Sequence, residues 1–364
     1  MKNIKRLLLF GIVMFLSAGT ILSPQISQAA SRNFISILDL PHRSINGDFI
    51  DNELSTSLLP TGKLGSLVFS PPSQPRVWLI DAALLDDVLA MPIDDVAAKN
   101  WLSELKLRTS SDPVYALAYG HPSLSLANRL APTELSFYFS AAQDRLQAFL
   151  GKNVSINKNY SGSNTVETIQ ADRVNAYTKN RRALSLLSSV VPASELYGHR
   201  LRLATLLAPG YPKESAIPLA LSATDAISKQ NHKLRVVVGK YRLTSEKEQL
   251  PITLINDFKT SILVDLQITP LNSRVRIHGV KKIILEPNSK KQLSIPITAI
   301  AAGSTALFAQ FTNSKGVGVG ESAILTLNVS VISPAVAWFT SGAAILLFLG
   351  ALIQSVRRIR RSRK

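Results

Sequence analysis

Val77-Trp78-Leu79-Ile80-Asp81-Ala82-Ala83-Leu84-Leu85 is an apolar run interrupted once, by Asp81, and its reading decides the fold. Val77 to Ile80 has the β-branched and aromatic character of a buried strand. Asp81 then opens a helical stretch predicted from Ala82 through Leu105. The same order recurs downstream. Val114-Tyr115-Ala116-Leu117-Ala118 ends in Tyr119-Gly120-His121-Pro122 and leads into a helix from Leu124 to Leu130. Leu135 to Phe139 reads as a third strand, leading into an amphipathic helix from Ala142 to Leu150. Strand, helix, strand, helix predicts a parallel sheet with crossover helices.

Such sheets carry their ligands at the carboxyl ends of the strands. Asp81, Tyr119 and His121 are therefore the candidate ligand-binding residues. Asp81 is equally well placed to cap the helix that starts at Ala82, and His121 to serve only a turn. Both readings stand at this level.

From Lys233 onward the pattern changes to short β-branched runs, separated by turn residues about every ten positions. The runs are 234–238, 251–255, 261–269, 274–278, 282–285, 292–297, 305–311 and 323–331. Val264, Ile268 and Leu266 alternate with Asp265 and Gln267, as on a half-buried strand. Seven or eight strands over a hundred residues predict an immunoglobulin-like β-sandwich, serving as a spacer or as a binding module.

The two ends predict an address. Lys2, Lys5 and Arg6, the apolar Leu7 to Leu22 and Ser27-Gln28-Ala29 have the form of a cleavable signal peptide, here 1–30. An uncharged run, Ala335 to Val356, precedes Arg357, Arg358, Arg360, Arg361, Arg363 and Lys364. It reads as one membrane-spanning helix over 335–356 with a basic cytoplasmic tail at 357–364. The organisation predicted is a signal peptide (1–30), an extracytoplasmic α/β domain (31–230), a β-sandwich (231–333), and the span. The location that follows is the cell membrane, single-pass, with the N-terminal domains outside.

Nine of the 41 lysines and arginines lie in the two end segments, which hold no acid, leaving 32 bases against 24 acids in between. A moderately basic external domain meets anionic lipid, wall polymer or an acidic partner by steering. No basic run interleaved with aromatics points to nucleic acid. The chain has no cysteine, so neither disulfides nor lipidation enter, and its cores must hold it. Leu59-Pro60-Thr61-Gly62 echoes a wall-sorting signal but lacks its spacer residue and its C-terminal position.

Leu58-Leu59-Pro60-Thr61-Gly62-Lys63-Leu64-Gly65-Ser66-Leu67, Val77 to Asp86, Ala116 to Pro122 and Leu250-Pro251-Ile252-Thr253-Leu254-Ile255-Asn256-Asp257 together resemble an actinobacterial envelope family, the domain-of-unknown-function family 6049. The resemblance implies a barrel-like domain similar to glycoside hydrolases and deacetylases, here reduced, then a β-sandwich and one span. It also implies an envelope role near the lipid II flippase. Where the family shows an acid after the Tyr-Gly pair, this chain has His121.

Motifs for chemistry are sparse. His42, His121, His199, His232 and His278 are scattered, never three or four apart, so no local metal motif exists and no cofactor is expected. Gly-x-Ser-x-Gly is absent, Ser155-x-x-Lys158 lacks partner motifs, and Gly316-Val317-Gly318-Val319-Gly320 precedes no helix. Paired carboxylates remain, as glycoside cleavage requires. Asp81, Asp112 and Glu134 are the candidates, and the catalytic set considered is Asp81, His121 and Glu134. Asp86-Asp87 and Asp94-Asp95 read as solvated helix faces. Three functions follow: a non-catalytic envelope binding or scaffold protein tied to peptidoglycan precursor export or wall assembly, a wall-glycan-processing enzyme, or a brace for a neighbouring membrane protein.

Overall fold

β2 (Arg76–Ile80) is buried at all five positions, which requires cover on both faces and places it inside a parallel sheet. Its neighbours are β1 (Asn33–Ile37), β3 (Val114–Ala116) and β4 (Ser155–Ile156). All pairings are parallel and the order is sequential, β1-β2-β3-β4. An order that never reverses curls as a barrel does, so these four strands form a half-barrel. The computed structural model describes residues 33–71, 74–159, 169–330 and 334–361. The signal peptide expected at 1–30 lies outside the described residues.

Helix pairs make the crossovers. α1 (Glu53–Leu58) and α2 (Lys63–Phe69) join β1 to β2. α3 (Ala82–Leu89) and α4 (Val96–Thr109) join β2 to β3. α5 (Leu124–Leu130) and α6 (Pro132–Leu150) join β3 to β4. The helix predicted over Ala82–Leu105 is thus two, broken at Met91-Pro92 because proline supplies no donor to a preceding turn. Asp95 restarts it by accepting from the Ala98 amide at 2.9 Å.

Leu135 to Phe139 is helix, not strand. Pro132 occupies the first turn, and Tyr138, Phe139, Ala142, Leu146 and Leu150 are buried at helical spacing. Ser155 begins β4 and pairs with Tyr115. Beyond β4 the sheet gains no strand among the described residues. α7 (Ala171–Leu187), α8 (Ala193–Arg202), a buried 3-10 turn (Leu203–Leu207) and α9 (Lys213–His232) follow.

The second domain has nine strands among the described residues: β5 (Leu234–Val236), β6 (Lys240–Leu243), β7 (Lys247–Asn256), β8 (Ile262–Pro270), β9 (Val275–Ile277), β10 (Val280–Leu285), β11 (Ser289–Ala299), β12 (Gly303–Thr312) and β13 (Gly318–Val329). One layer runs β10-β8-β12-β13 and the other β5-β7-β11-β9. Pairing within the layers is antiparallel, but β5 and β6 run parallel to β13. An edge strand that crosses between layers in this way is an immunoglobulin-like arrangement. Gly320 makes it possible. A Cβ there would lie 2.3 Å from the Leu234 carbonyl, and its φ is +70°. The glycine-rich stretch is therefore turn and strand.

Inward positions alternate as a sandwich demands: Ile262, Val264, Leu266 and Ile268 on β8, Leu325, Leu327 and Val329 on β13. Asn256 is fully buried and pins one end of the layers. Its Nδ2 donates to the carbonyls of Thr260 (2.9 Å), Leu285 (3.2 Å) and Glu286 (2.9 Å), and its Oδ1 accepts from the Phe258 amide (3.0 Å).

α7 and α9 pack on β13, and the apolar core is continuous from half-barrel to sandwich. Asn313 Nδ2 donates to Ser189 Oγ at 2.9 Å across the junction. His232 pairs with Glu321 there.

α10 (Pro334–Arg361) follows the sandwich. Among the described residues no helix is long and apolar enough to cross a membrane. The single span expected over 335–356 is therefore not upheld. Crossing takes about 20 consecutive, predominantly apolar residues, whereas Ser341, Gln354 and Ser355 place polar groups within this helix and arginines occupy its end.

Candidate functional site

The carboxyl ends of β1, β2 and β3 share one face of the half-barrel. The sequence marks the second and third of these: Asp81 follows β2, and Tyr119-Gly120-His121 follows β3.

Asp81 is buried and its Oδ1 accepts two amides at 2.9 Å, those of Ala83 and Gly120. It therefore caps α3 and also ties the end of β2 to the end of β3. Burial dominates its ionisation. Loss of hydration pushes the carboxyl up to about 7 despite the two amides, with Asp87 and Asp86 adding to the rise.

Gly120 has φ +71°, and a Cβ on it would sit 2.8 Å from Thr205 Cγ2. Only glycine lets the 3-10 turn close up against the strand end. His121 continues the left-handed turn at φ 45°, its amide donating to the Ala118 carbonyl at 2.9 Å. Burial holds the imidazole below its usual range.

Tyr119 is buried to 1 % exposure, and its hydroxyl donates to Asp86 Oδ2 of α3 at 2.8 Å. The other oxygen of Asp86 receives Arg145 NH1 of α6 at 2.7 Å. Asp87 is 1 % exposed. Its oxygens take Arg202 NH1 of α8 at 3.3 Å and the His42 amide at 3.1 Å. Both aspartates, expected on a solvated helix face, are held inside the site instead. Burial raises Asp87, opposed by Arg202 and Arg43.

The loop after β1 supplies a set that sequence patterns did not flag. His42 lies between Asp51 (Nδ1 to Oδ1, 2.9 Å) and Asp39 (Nε2 to Oδ2, 3.9 Å), and Lys63 Nζ donates to Asp39 Oδ1 at 2.6 Å. Burial works against both charges. The nearby His42 and the hydrogen bond from Lys63 nevertheless bring Asp39 down to about 2, and the two carboxylates raise His42 above its usual range.

Arg43 completes the face. Its Nε donates to the Gly47 carbonyl at 2.5 Å and its guanidinium lies 5.5 Å from the Phe49 ring centre. Arg43, Asp86, Tyr119, Arg145 and Arg202 border an open cleft of about 280 Å³.

The remaining candidates are elsewhere. Asp112 precedes β3, at the amino end of the strands, and accepts from Trp78 Nε1 at 2.9 Å. A strand rises about 3.3 Å per residue, so Asp112 is separated from Asp81 by the length of the sheet. Glu134 is committed to Arg200, with Nε to Oε2 at 2.7 Å and NH2 to Oε1 at 3.0 Å. The guanidinium is stacked 3.9 Å from the Phe137 ring centre. That pair fastens α8 to α6. Among the described residues no three histidine, aspartate or glutamate side chains converge as metal ligands.

No curated protein matches this chain. Solved structures with local likeness include WR4, a C. elegans MSP family member, at 9 % identity and TM-score 0.21, covering 27 % of this chain and 98 % of that one. The CARDB domain of the PF1109 protein from Pyrococcus furiosus, solved with di-metal ions, has 11 % identity and TM-score 0.21, covering 28 % and 93 %. The N-terminal domain of PorA has 12 % identity and TM-score 0.22, covering 27 % and 97 %. Residues 220–364, from within α9 through the sandwich to the end of the chain, match the model of DUF6049, a family of unknown function.

Proposed function

We propose that this chain is an extracytoplasmic cell-envelope protein that acts by binding. The half-barrel receives wall glycan or its precursor at the carboxyl ends of β1 to β3, and the sandwich carries it as a rigid support. The observation that carries this reading is the state of the carboxylates. Asp39, Asp81, Asp86, Asp87 and Glu134 are each held by fixed donors. Glycoside cleavage needs one acid beside the leaving oxygen and a second about 5 to 9.5 Å away facing the sugar, whereas among the described residues each of these five acids is already engaged by its donors. The resemblance to an actinobacterial envelope family found near the lipid II flippase supports a precursor-exporting membrane protein as partner.

In-cell cross-linking of the tagged full chain, followed by mass spectrometry, tests it against a version truncated before Lys233. Enrichment of a flippase, a peptidoglycan synthase or wall glycan with the full chain is the expected result. Recovery of none of these overturns the reading.

One observation favours a glycan-processing enzyme: burial brings Asp81 up to about 7, where a general acid would be poised. Release of reducing ends or acetate from wall glycan, lost in Asp81→Asn, would put that reading first.

A further inference from the structure

We propose that the cleft between Arg43, Arg145 and Arg202 is an oxyanion site for a phosphate ester, which rests on the binding reading above and names the chemical group recognised. Three guanidiniums reach the cleft from separate elements, the loop after β1, α6 and the end of α8. Two carboxylates answer them, Asp86 for Arg145 and Asp87 for Arg202. Arg43 has no carboxylate within ion-pair distance among the described residues.

The donors outnumber what the aspartates accept. Each guanidinium carries five N–H groups in a rigid fork. Arg145 spends NH1 on Asp86, and its Nε is buried without a hydrogen-bond partner. Arg202 reaches Asp87 with NH1 alone, at 3.3 Å.

Rigid parts hold the array open. Arg43 is aimed by the Gly47 carbonyl and the Phe49 face. Arg145 lies 5.7 Å from the ring centres of both Tyr119 and Tyr197. Like charges are thereby kept close. Besides burial, the neighbouring Arg202 charge lowers the Arg43 pKa, which is the cost of holding two cations at one cleft before an anion arrives.

One uncompensated positive charge with surplus forked donors from three directions suits the three terminal oxygens of a phosphate better than a planar carboxylate. At about 280 Å³ the cleft is just below the usual range for whole small-molecule sites, about 300 to 1,000 Å³. It fits a charged group at one end of a larger ligand.

The test titrates the full chain calorimetrically with inorganic phosphate, a hexose 1-phosphate and the free hexose. Saturable binding of phosphate or the sugar phosphate, weakened at least tenfold in Arg43→Gln and only partly recovered in Arg43→Lys, is the expected result. Tighter binding of the sugar phosphate assigns the source as a glycan precursor, and equal binding assigns free phosphate. Absence of binding by either phosphate at millimolar concentration overturns the site, as does wild-type affinity in Arg43→Gln. Cross-linked wall glycan recovered from cells whose purified protein binds no phosphate would defeat this inference alone and leave the binding reading standing.

Discussion

Replacing Asp81 by asparagine keeps the shape and the acceptor oxygen for the amides of Ala83 and Gly120 while removing the titrating proton. Unfolded, the carboxyl titrates near 3.8, and folded, burial moves it to about 7. Folding therefore takes up a proton in the window between those values. The wild type loses stability as pH rises through it, each tenfold change in proton affinity being worth about 1.4 kcal/mol. Relative to the wild type, Asp81→Asn should gain about 2–3 kcal/mol on going from about pH 5 to about pH 8. His42 and the other titrating groups not coupled to Asp81 are common to both proteins, so their contributions cancel in the difference. Urea unfolding followed by tryptophan fluorescence reads the right domain, because Trp78 and Trp101 are fully buried in it. A stability difference that is the same at both pH values, or one that moves against the asparagine as pH rises, would refute the assignment of Asp81 as a buried acid.

Three further predictions concern other parts of the fold. Asn256→Ala strands the carbonyls of Thr260, Leu285 and Glu286 in a buried corner and should cost about 2–3 kcal/mol, seen as an earlier urea midpoint with unchanged slope. Glu134→Gln breaks the bidentate pair to a partly exposed Arg200; a loss of about 1 kcal/mol is expected, with phosphate titration unaltered, and a change in that titration would place Glu134 in the site. His42 is raised by Asp39 and Asp51, so its contribution is fully present below its ordinary value near 6.5 and is lost as pH climbs through the folded value. The melting-temperature deficit of His42→Gln should accordingly shrink between pH 6 and pH 9, and a constant deficit would contradict it.

What could be read in the sequence was whatever local pattern carries. β2 announced itself because a strand buried on both faces is a continuous apolar word, and Asp81 and Gly120 mark its end and that of β3 by residue type. Leu135 to Phe139 misled because an apolar run of that length fits strand or buried helix equally, and only Pro132 hinted at the longer helix. The site itself was mostly illegible. Arg145 and Arg202 meet their aspartates from 59 and 115 residues away, a distance across which no spacing rule operates. The Asp39-to-Asp51 loop follows a five-residue strand with no motif of its own. Asp86 and Asp87 looked solvated because adjacent charges on a helix usually are, and it takes the packing of α6 and α8 to bury them. The C-terminal helix shows the converse limit: an uncharged stretch in the sequence did not yield, among the described residues, a helix apolar enough to cross a membrane.

The parallel pairing of β5 and β6 with β13 has a consequence for how the chain is made. The strands that open and close the sandwich are neighbours, Glu321 meeting Arg235 and Thr326 meeting Lys240. During synthesis the first of them emerges some eighty residues ahead of its mate, on the order of 4–16 s at typical elongation rates. Throughout that interval α7, α9 and β5 lack the strand that covers them, and their apolar faces are open to any chaperone or stray edge in the vicinity. Closure comes with residues 318–329, at a single late event that seals both domains together, and a nascent chain stalled before it would be a substrate for quality control even though its half-barrel is already complete.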